Sequence, residues 1–290
     1  MSWTGAEPPA PPPPGLGGRL RLGLRAAAAI LWLGVMFGGF LVARGLDLGA
    51  RAVARRPLPA LAPWVVHLWA RGALALLGLR LRVRGAPMAH PGAVVANHAS
   101  WLDIVALMAA TRAFFVSKAE VAGWPVIGFI GRAIGTMFIE RRPVEARRQA
   151  EALHARLRRG DRLCLFPEGT STDGQQVLPF KSALFGVFLA PDLHGVLWVQ
   201  PVSLVYRAPA GLPASFYAWW GDMDFAAHLA AVLALSRGGL VEARFHPPLR
   251  PADFADRKTL ADAACAAVRQ GHAGIAEGDG SEVLPTRDVL

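Results

Sequence analysis

The chain has 290 residues, a formal net charge of +10, 53% hydrophobic residues and a mean hydropathy of +0.33. That length suits one large domain or two small ones without disulfides, and its two cysteines, Cys164 and Cys265, form neither a CxxC motif nor a Cys/His cluster, which argues against a zinc site and for a reducing compartment. So apolar a chain is unlike a basic nucleic-acid binder and fits an anionic membrane surface, although a GC-rich genome also enriches Arg with Ala, Gly and Pro.

Residues 1–24 contain PPAPPPPGLGG and are expected to be disordered. Residues 25–79 are expected to form membrane-anchoring helices. Within them AAAAILWLGVMFGGFLVA, residues 26–43, carries no charge. As a helix it spans about 27 Å, close to the hydrocarbon thickness of a bilayer. Arg19, Arg21 and Arg25 flank one end, and Arg44, Arg51, Arg55 and Arg56 the other. Charge on both sides gives no orientation and suits a re-entrant helix as well as a single span. The late start and the missing cleavage site argue against a signal peptide. A second apolar stretch, 61–79, is broken by His67 and Arg71 and reads as amphipathic or half-inserted. Two buried core helices are the alternative.

Residues 80–270 alternate strand and helix patterns. LRLRVRG, AVVAN, AFFVSK, TMFIER, RLCLFP and VLWVQPVSLVY read as strands, with further strands at 216–220 and 240–247. SWLDIVALMAA, VEARRQAEALHARLRRG and FKSALFGVFLA read as helices, and WPVIGFIGRAIG as a glycine-punctuated helix or loop. The expectation is an α/β fold with a mixed, largely parallel central sheet flanked by helices and preceded by the membrane-associating helices. Residues 271–290 are expected to be a flexible tail.

VVANHASWLDIVAL, residues 94–107, puts Asn97 and His98 at the C-terminal end of a strand, the edge at which α/β sheets bind ligands. Ser100 and Asp103 make an S-x-x-D capping-box signature, so Asp103 is either a helix cap or the partner of His98. In one continuous helix the two side chains would stand about 140° apart. Across a strand-to-helix turn the chain folds back and the carboxylate reaches the imidazole. A carboxylate on one ring nitrogen fixes the tautomer and leaves the other nitrogen as a general base.

LCLFPEGTSTDG, residues 163–174, is a second strand end, where Gly169 lets backbone N–H groups approach an anion. G-x-S-x-G and P-loop patterns are absent, and the stretch also reads as an ordinary turn. GTMFIERR, residues 135–142, delivers Arg141 and Arg142, either as forks for phosphate oxygens or as an exposed pair heading a basic helix. That helix, with Arg147, Arg148, Arg156, Arg158 and Arg159, reads equally as a solvated face or as a contact for anionic groups. Asp222 and Asp224 form a D-x-D too poor in oxygen ligands to hold a metal.

Taken in order, these blocks resemble those of the glycerolipid acyltransferase family, whose bacterial members include lysophosphatidic acid acyltransferases. The residues that carry the likeness are Asn97, His98 and Asp103; Gly135, Phe138, Ile139 and Arg141; Phe166, Pro167, Glu168, Gly169 and Thr170; and Val199, Pro201 and Val202. The resemblance covers roughly residues 80–250 and implies acyl transfer from acyl-CoA or acyl carrier protein to a lysolipid hydroxyl, with no acyl-enzyme, no cofactor, no metal and no nucleic acid. It implies His98 as base, Asp103 as its orienter, and Arg141 with Glu168, Gly169 and Thr170 on the acceptor head. Lys181 joins them as a candidate phosphate contact, and Asn97, Gly135, Phe138, Phe166, Pro167 and Pro201 are motif residues of structural role. The soluble donor implies a bacterial inner-membrane enzyme with its site on the cytoplasmic face.

Many members continue the E-G-T block with arginine, where this chain has Ser171. EVAGWPVIG, GTSTDG, LPFKSALFG and WWGDMDF resemble a proteobacterial subgroup in which some relatives acylate lyso-ornithine lipid, which has no phosphate. The acceptor expected first is 1-acyl-sn-glycerol-3-phosphate, giving phosphatidic acid in phospholipid biosynthesis. Lyso-ornithine lipid is the alternative, and a non-catalytic membrane-surface protein is the reading from another class.

Overall fold

The computed structural model describes residues 3, 5, 7–8, 13–53, 60–140, 145–193, 195–276 and 287–289. Its helices are α1 (Leu16–Val53), α2 (Ala62–Leu76), α3 (Leu102–Ala110), α4 (Ala119–Ala122), α5 (Ile127–Ala133), α6 (Ala146–Arg158), α7 (Phe225–Ala234) and α8 (Arg257–Ala276). Its strands are β1 (Arg80–Arg84), β2 (Gly92–Ala96), β3 (Phe114–Lys118), β4 (Met137–Ile139), β5 (Arg162–Leu165), β6 (Trp198–Arg207), β7 (Leu240–Phe245) and β8 (Arg287–Val289). They form one mixed sheet in the order β4-β3-β5-β2-β6-β7-β1-β8. The five strands from β4 to β6 run parallel, β7 turns antiparallel to β6, and β1 pairs parallel with β7.

β2 is buried along its whole length, as expected of a central strand covered on both faces. One hydrophobic cluster packs Leu74, Leu102, Leu107, Val202 and Leu204 beneath α2, α3 and α7; the other packs Leu157, Leu163, Phe185, Leu197 and Val268 beneath α6 and α8. Because β2, β3, β5 and β6 are parallel, their C-terminal ends and the loops that leave them share one edge of the sheet.

The N-terminal helices form a hairpin against this domain. The Trp32 ring lies on Gly72, where a Cβ would come within 2.4 Å of it, and its Nε1 donates to the Trp69 carbonyl at 3.0 Å. Buried Asp47 accepts from the N–H groups of Leu61 and Ala62 at 2.7 and 3.0 Å, so α1 caps the N-terminus of α2. Arg21 and Arg25 donate to the carbonyls of Leu233, Ala234 and Leu235 at the end of α7. The apolar window of α1 is long enough to cross a membrane and only 11% of it is buried. Leu20, Leu24, Ile30, Leu31, Val35, Leu41 and Val42 are all exposed, a surface suited to lipid and costly in water.

Several boundaries differ from the sequence reading. The helix begins at Leu16, inside the segment expected to be disordered through 24, because it docks there on α7. α8 continues to Ala276 with His272 and Ile275 buried, and β8 pairs antiparallel with β1, so 271–290 is not simply a tail. Residues 216–220 are turn and loop rather than strand: Phe216 N–H bonds back to Pro213 and Ala218 N–H to Ser215. The FKSALFGVFLA segment is a 3-10 helix over Ser182–Leu189.

Candidate active site

Seven residues past the last β2–β6 pair, Ala96 with Val202, the chain has folded back on itself. His98 Nδ1 lies 2.8 Å from Asp103 Oδ2. The same oxygen accepts from the N–H groups of Ala99 and Ser100 at 2.7 and 2.9 Å. The other oxygen, Oδ1, accepts from the Tyr206 hydroxyl at 2.7 Å. Asp103 is fully buried, and an acceptor-only carboxylate satisfies all four donors. A carboxylate at Nδ1 favours the tautomer with its proton on that nitrogen, which leaves Nε2 on the side of the ring away from Asp103. The His98 side chain is 19% exposed.

Both sequence readings of Asp103 hold together. It closes half of a capping box through Ser100 N–H, while Ser100 Oγ accepts from Leu102 N–H at 3.3 Å. Capping fixes the carboxylate in the first turn of α3, and that is where the imidazole finds it. Phe166 stacks on the His98 ring at 4.2 Å between centroids and 17° between planes, covering one face.

Asn97 is a splice between strands. Its Nδ2 donates to Leu204 O at 2.9 Å and its Oδ1 accepts from Leu204 N–H at 2.7 Å, so a side-chain amide continues the β2–β6 ladder one residue past the strand end. Pro201 sits in β6 opposite Val95, and its carbonyl accepts from His246 N–H at 3.0 Å.

The Phe166–Thr170 turn leaves β5, next to β2. Glu168 was expected on the acceptor head, and the geometry corrects this. The side chain is 2% exposed, and its oxygens accept from His98 N–H at 2.9 Å and from Leu178 N–H at 3.2 Å. It ties the turn to the His98 loop. Burial pushes its pKa up to about 8, against the pull of those two N–H groups. Gly169 has φ +70°, a conformation open to glycine, and a Cβ there would come within 2.6 Å of Lys181 Nζ. Exposed Lys181 thus sets a positive charge directly over the turn. Thr170 Oγ1 accepts from Trp3 N–H at 3.2 Å, and Thr172 N–H donates to the His98 carbonyl at 3.0 Å.

Of the remaining candidates, Arg141 and its neighbour Arg142 lie outside the described residues. Gly135 and Phe138 lead into and along β4, and the Gly135 carbonyl accepts from Arg156 at 2.8 Å. Arg156 also pairs with Asp161 and covers the Phe114 ring, so this arginine of the basic helix has an internal role. Asp224 caps α7 by accepting from Ala227 N–H at 2.7 Å. Among the described residues no group of three His, Cys, Asp or Glu is placed to hold a metal ion.

Sequence reasoning missed Tyr206, which is separated from Asp103 by 103 positions. Burial raises its hydroxyl pKa well above the usual value, with the Asp103 charge adding. It also missed a brace behind the loop. Trp101 Nε1 donates to His228 Nδ1 at 2.9 Å, His228 Nε2 meets the Phe216 carbonyl at 3.1 Å, and burial lowers the His228 pKa, consistent with a neutral ring accepting at Nδ1.

Residues 80–205 match the family model described as Acyltransferase. The lyso-ornithine lipid O-acyltransferase of Rhodobacter capsulatus is 51% identical to this chain over 269 residues, covering 93% of it and 96% of the relative. The protein of the same description from Pseudomonas aeruginosa is 37% identical, covering 89% and 96% respectively. The crystal structure of the 1-acyl-sn-glycerophosphate acyltransferase of Thermotoga maritima matches with a TM-score of 0.56 over 88% of this chain and 98% of that one; at 21% identity this is a likeness of fold.

Proposed function

The chain belongs to the acyltransferase family, and on that premise we propose that it moves a fatty acyl group from acyl-CoA or acyl carrier protein to the free hydroxyl of a lysolipid, with His98 as the general base. The observation that carries this reading is the 2.8 Å bond from His98 Nδ1 to buried Asp103, with the other ring nitrogen left as the base. His98 Nε2 takes the proton of the acceptor hydroxyl as its oxygen attacks the thioester carbonyl carbon. The C–S bond breaks, and the imidazolium returns the proton to the departing thiolate. Asp103 holds the ring and stabilises its positive charge.

The nearby alternatives to direct transfer are poor nucleophiles. Cys164 is fully buried and burial pushes its thiol pKa strongly up. Ser100 is buried and its oxygen accepts from the Leu102 backbone. Glu168 acts as a positioning residue, while Lys181, Gly169 and Thr170 offer the cationic and backbone contacts for the acceptor head.

The acceptor proposed is lyso-ornithine lipid. Support comes from the two relatives of that description matched over nearly their full length, and from Ser171 standing where an arginine would contact phosphate. Lysophosphatidate is the second reading, favoured by the Lys181 ammonium over the turn. Exposed apolar residues along α1 support membrane anchoring, and a soluble donor supports a cytoplasmic-facing site at the bacterial inner membrane.

The test is thiol release by the purified chain given acyl-CoA or acyl carrier protein with each lysolipid. The expected outcome is a higher kcat/KM with lyso-ornithine lipid. Faster turnover with lysophosphatidate selects the second reading, and release with neither lysolipid overturns both.

A further inference from the structure

The link between α4 and α5 combines backbone strain with exposed apolar side chains. Val126 has φ 63° and ψ −58°, and Ile127 N–H bonds to the Pro125 carbonyl at 2.6 Å. This is the positive-φ γ-turn, rare for any residue and a clear outlier for a β-branched one. Strain of this kind persists where surrounding structure enforces it. Here the start of α5 is pressed against α4, since a Cβ on Gly128 would stand 2.1 Å from the Ala122 carbonyl. The turn directs large apolar side chains outward: Val126 is 59% exposed, Ile127 39% and Phe129 59%.

This apolar patch continues the exposed surface of α1. The Phe129 ring contacts Phe37 of α1 at 5.7 Å, and Ala133 and Ile134 pack against the cluster of Phe40 and Ala43 of α1 with Ala62 of α2. On its other side the turn reaches the active site. Half-buried Trp124 meets Trp219 at 6.4 Å and Phe225 at 5.5 Å, and Trp219 N–H donates to the Ala99 carbonyl at 2.8 Å, next to His98. Exposed Arg132 lies beside the turn, donating to the Ala122 carbonyl at 2.8 Å. Exposed aliphatic groups, an adjacent half-buried indole and a flanking cation form the sequence of groups that an interfacial segment presents to lipid.

We propose that the α4–α5 turn is a second membrane contact. Val126, Ile127 and Phe129 enter the bilayer beside α1, Trp124 sits at headgroup level, and the opening over His98 is held at the lipid surface. The occupant is a lipid bilayer, because the patch is continuous with the α1 surface and has a cation on its border. A lysolipid then slides from the bilayer to His98 with its chain still in lipid. This last consequence rests on the lysolipid reading above; the membrane contact itself does not.

The test uses the full chain in phosphatidylethanolamine–phosphatidylglycerol vesicles containing acyl-chain-brominated lipid. Both native cysteines are buried, so a thiol-reactive fluorophore reports on an introduced cysteine: Ile127→Cys, Leu41→Cys on α1, or Lys258→Cys at an exposed position in the first turn of α8. Labels at 127 and 41 should both be quenched while that at 258 is not. Quenching at 41 without quenching at 127 overturns the proposal, and quenching at neither overturns the anchor as well. In a second arm, Ile127→Asp with Phe129→Asp should lower acylation of a long-chain lysolipid in vesicles about tenfold, yet leave that of a short-chain, water-soluble acceptor within about twofold. Equal losses with both acceptors, no loss with either, or quenching at 127 that appears only as the chain self-associates would overturn it.

Discussion

The Tyr206 hydroxyl donates to Asp103 Oδ1 at 2.7 Å, on the carboxylate oxygen that His98 does not use. Tyr206 stands near the end of β6 and Asp103 in the first turn of α3, so the strand and the helix together clamp the carboxylate. Tyr206→Phe should leave that buried oxygen without a partner, at a cost of about 1–3 kcal/mol. The expected outcome is a lower Tm and about a tenfold fall in kcat, with KM for the thioester little changed. Thermal melting and steady-state thiol release check it.

His98→Ala should lower acyl transfer by about 10²–10⁴-fold, the usual contribution of a positioned base, while membrane association is retained. Asp103→Asn should be comparably severe. An amide oxygen in the place of Oδ2 is uncharged and accepts more weakly from His98 Nδ1, Ala99 N–H and Ser100 N–H, and its NH2 would face the Tyr206 hydroxyl that donates to Oδ1, so the ring and the loop are both disturbed. Activity of Asp103→Asn near that of the parent would leave the aspartate with only its helix-capping role.

Glu168 should make stability depend on pH. Its pKa is raised from the usual 4.5 to about 8 by burial, so the folded state holds a proton that the unfolded state releases. The stabilisation is complete below about pH 4.5 and is lost as pH rises through about 8. Half-buried His246, lowered to about 4, acts in the opposite sense, adding stability as pH rises from about 4 to 6.5. The contribution of Glu168 is therefore read as a difference. The Tm of the parent minus that of Glu168→Gln should decline across the range from pH 4.5 to 8. A flat difference would contradict this.

Ser171→Arg should move acceptor preference toward phosphate. Ser171 follows Thr170 on the turn beneath Lys181, and its carbonyl accepts from Thr170 Oγ1. A guanidinium there adds a bidentate phosphate contact, with a charge-assisted hydrogen bond worth about 1.5–3 kcal/mol. The ratio of kcat/KM for lysophosphatidate to that for lyso-ornithine lipid should rise about tenfold or more. Competition between the two lysolipids in one reaction measures it.

Local sequence was enough for the strand ends and for the His98–Asp103 pair. The unbroken apolar run AVVA, and a cap signature that begins four residues past the strand end at Ala96, encode their geometry within a dozen residues. The same locality explains the misreadings. FYAWW has the composition of a strand, yet backbone turns to Pro213 and Ser215 make it a loop. The carboxylate of Glu168 gave no sequence sign of pointing inward, because its donors are backbone N–H groups at residues 98 and 178.

By itself the sequence determined a long apolar N-terminal helix, an α/β alternation and a histidine with a carboxylate partner, since each depends on spacing along one short segment. Only the tertiary structure decided what surrounds that histidine. Parallel neighbours β5, β2 and β6 bring Glu168, His98 and Tyr206 to one sheet edge from positions 168, 98 and 206. No local pattern encodes such a meeting, because the order of strands in the sheet, and not their order in the chain, sets which side chains become neighbours.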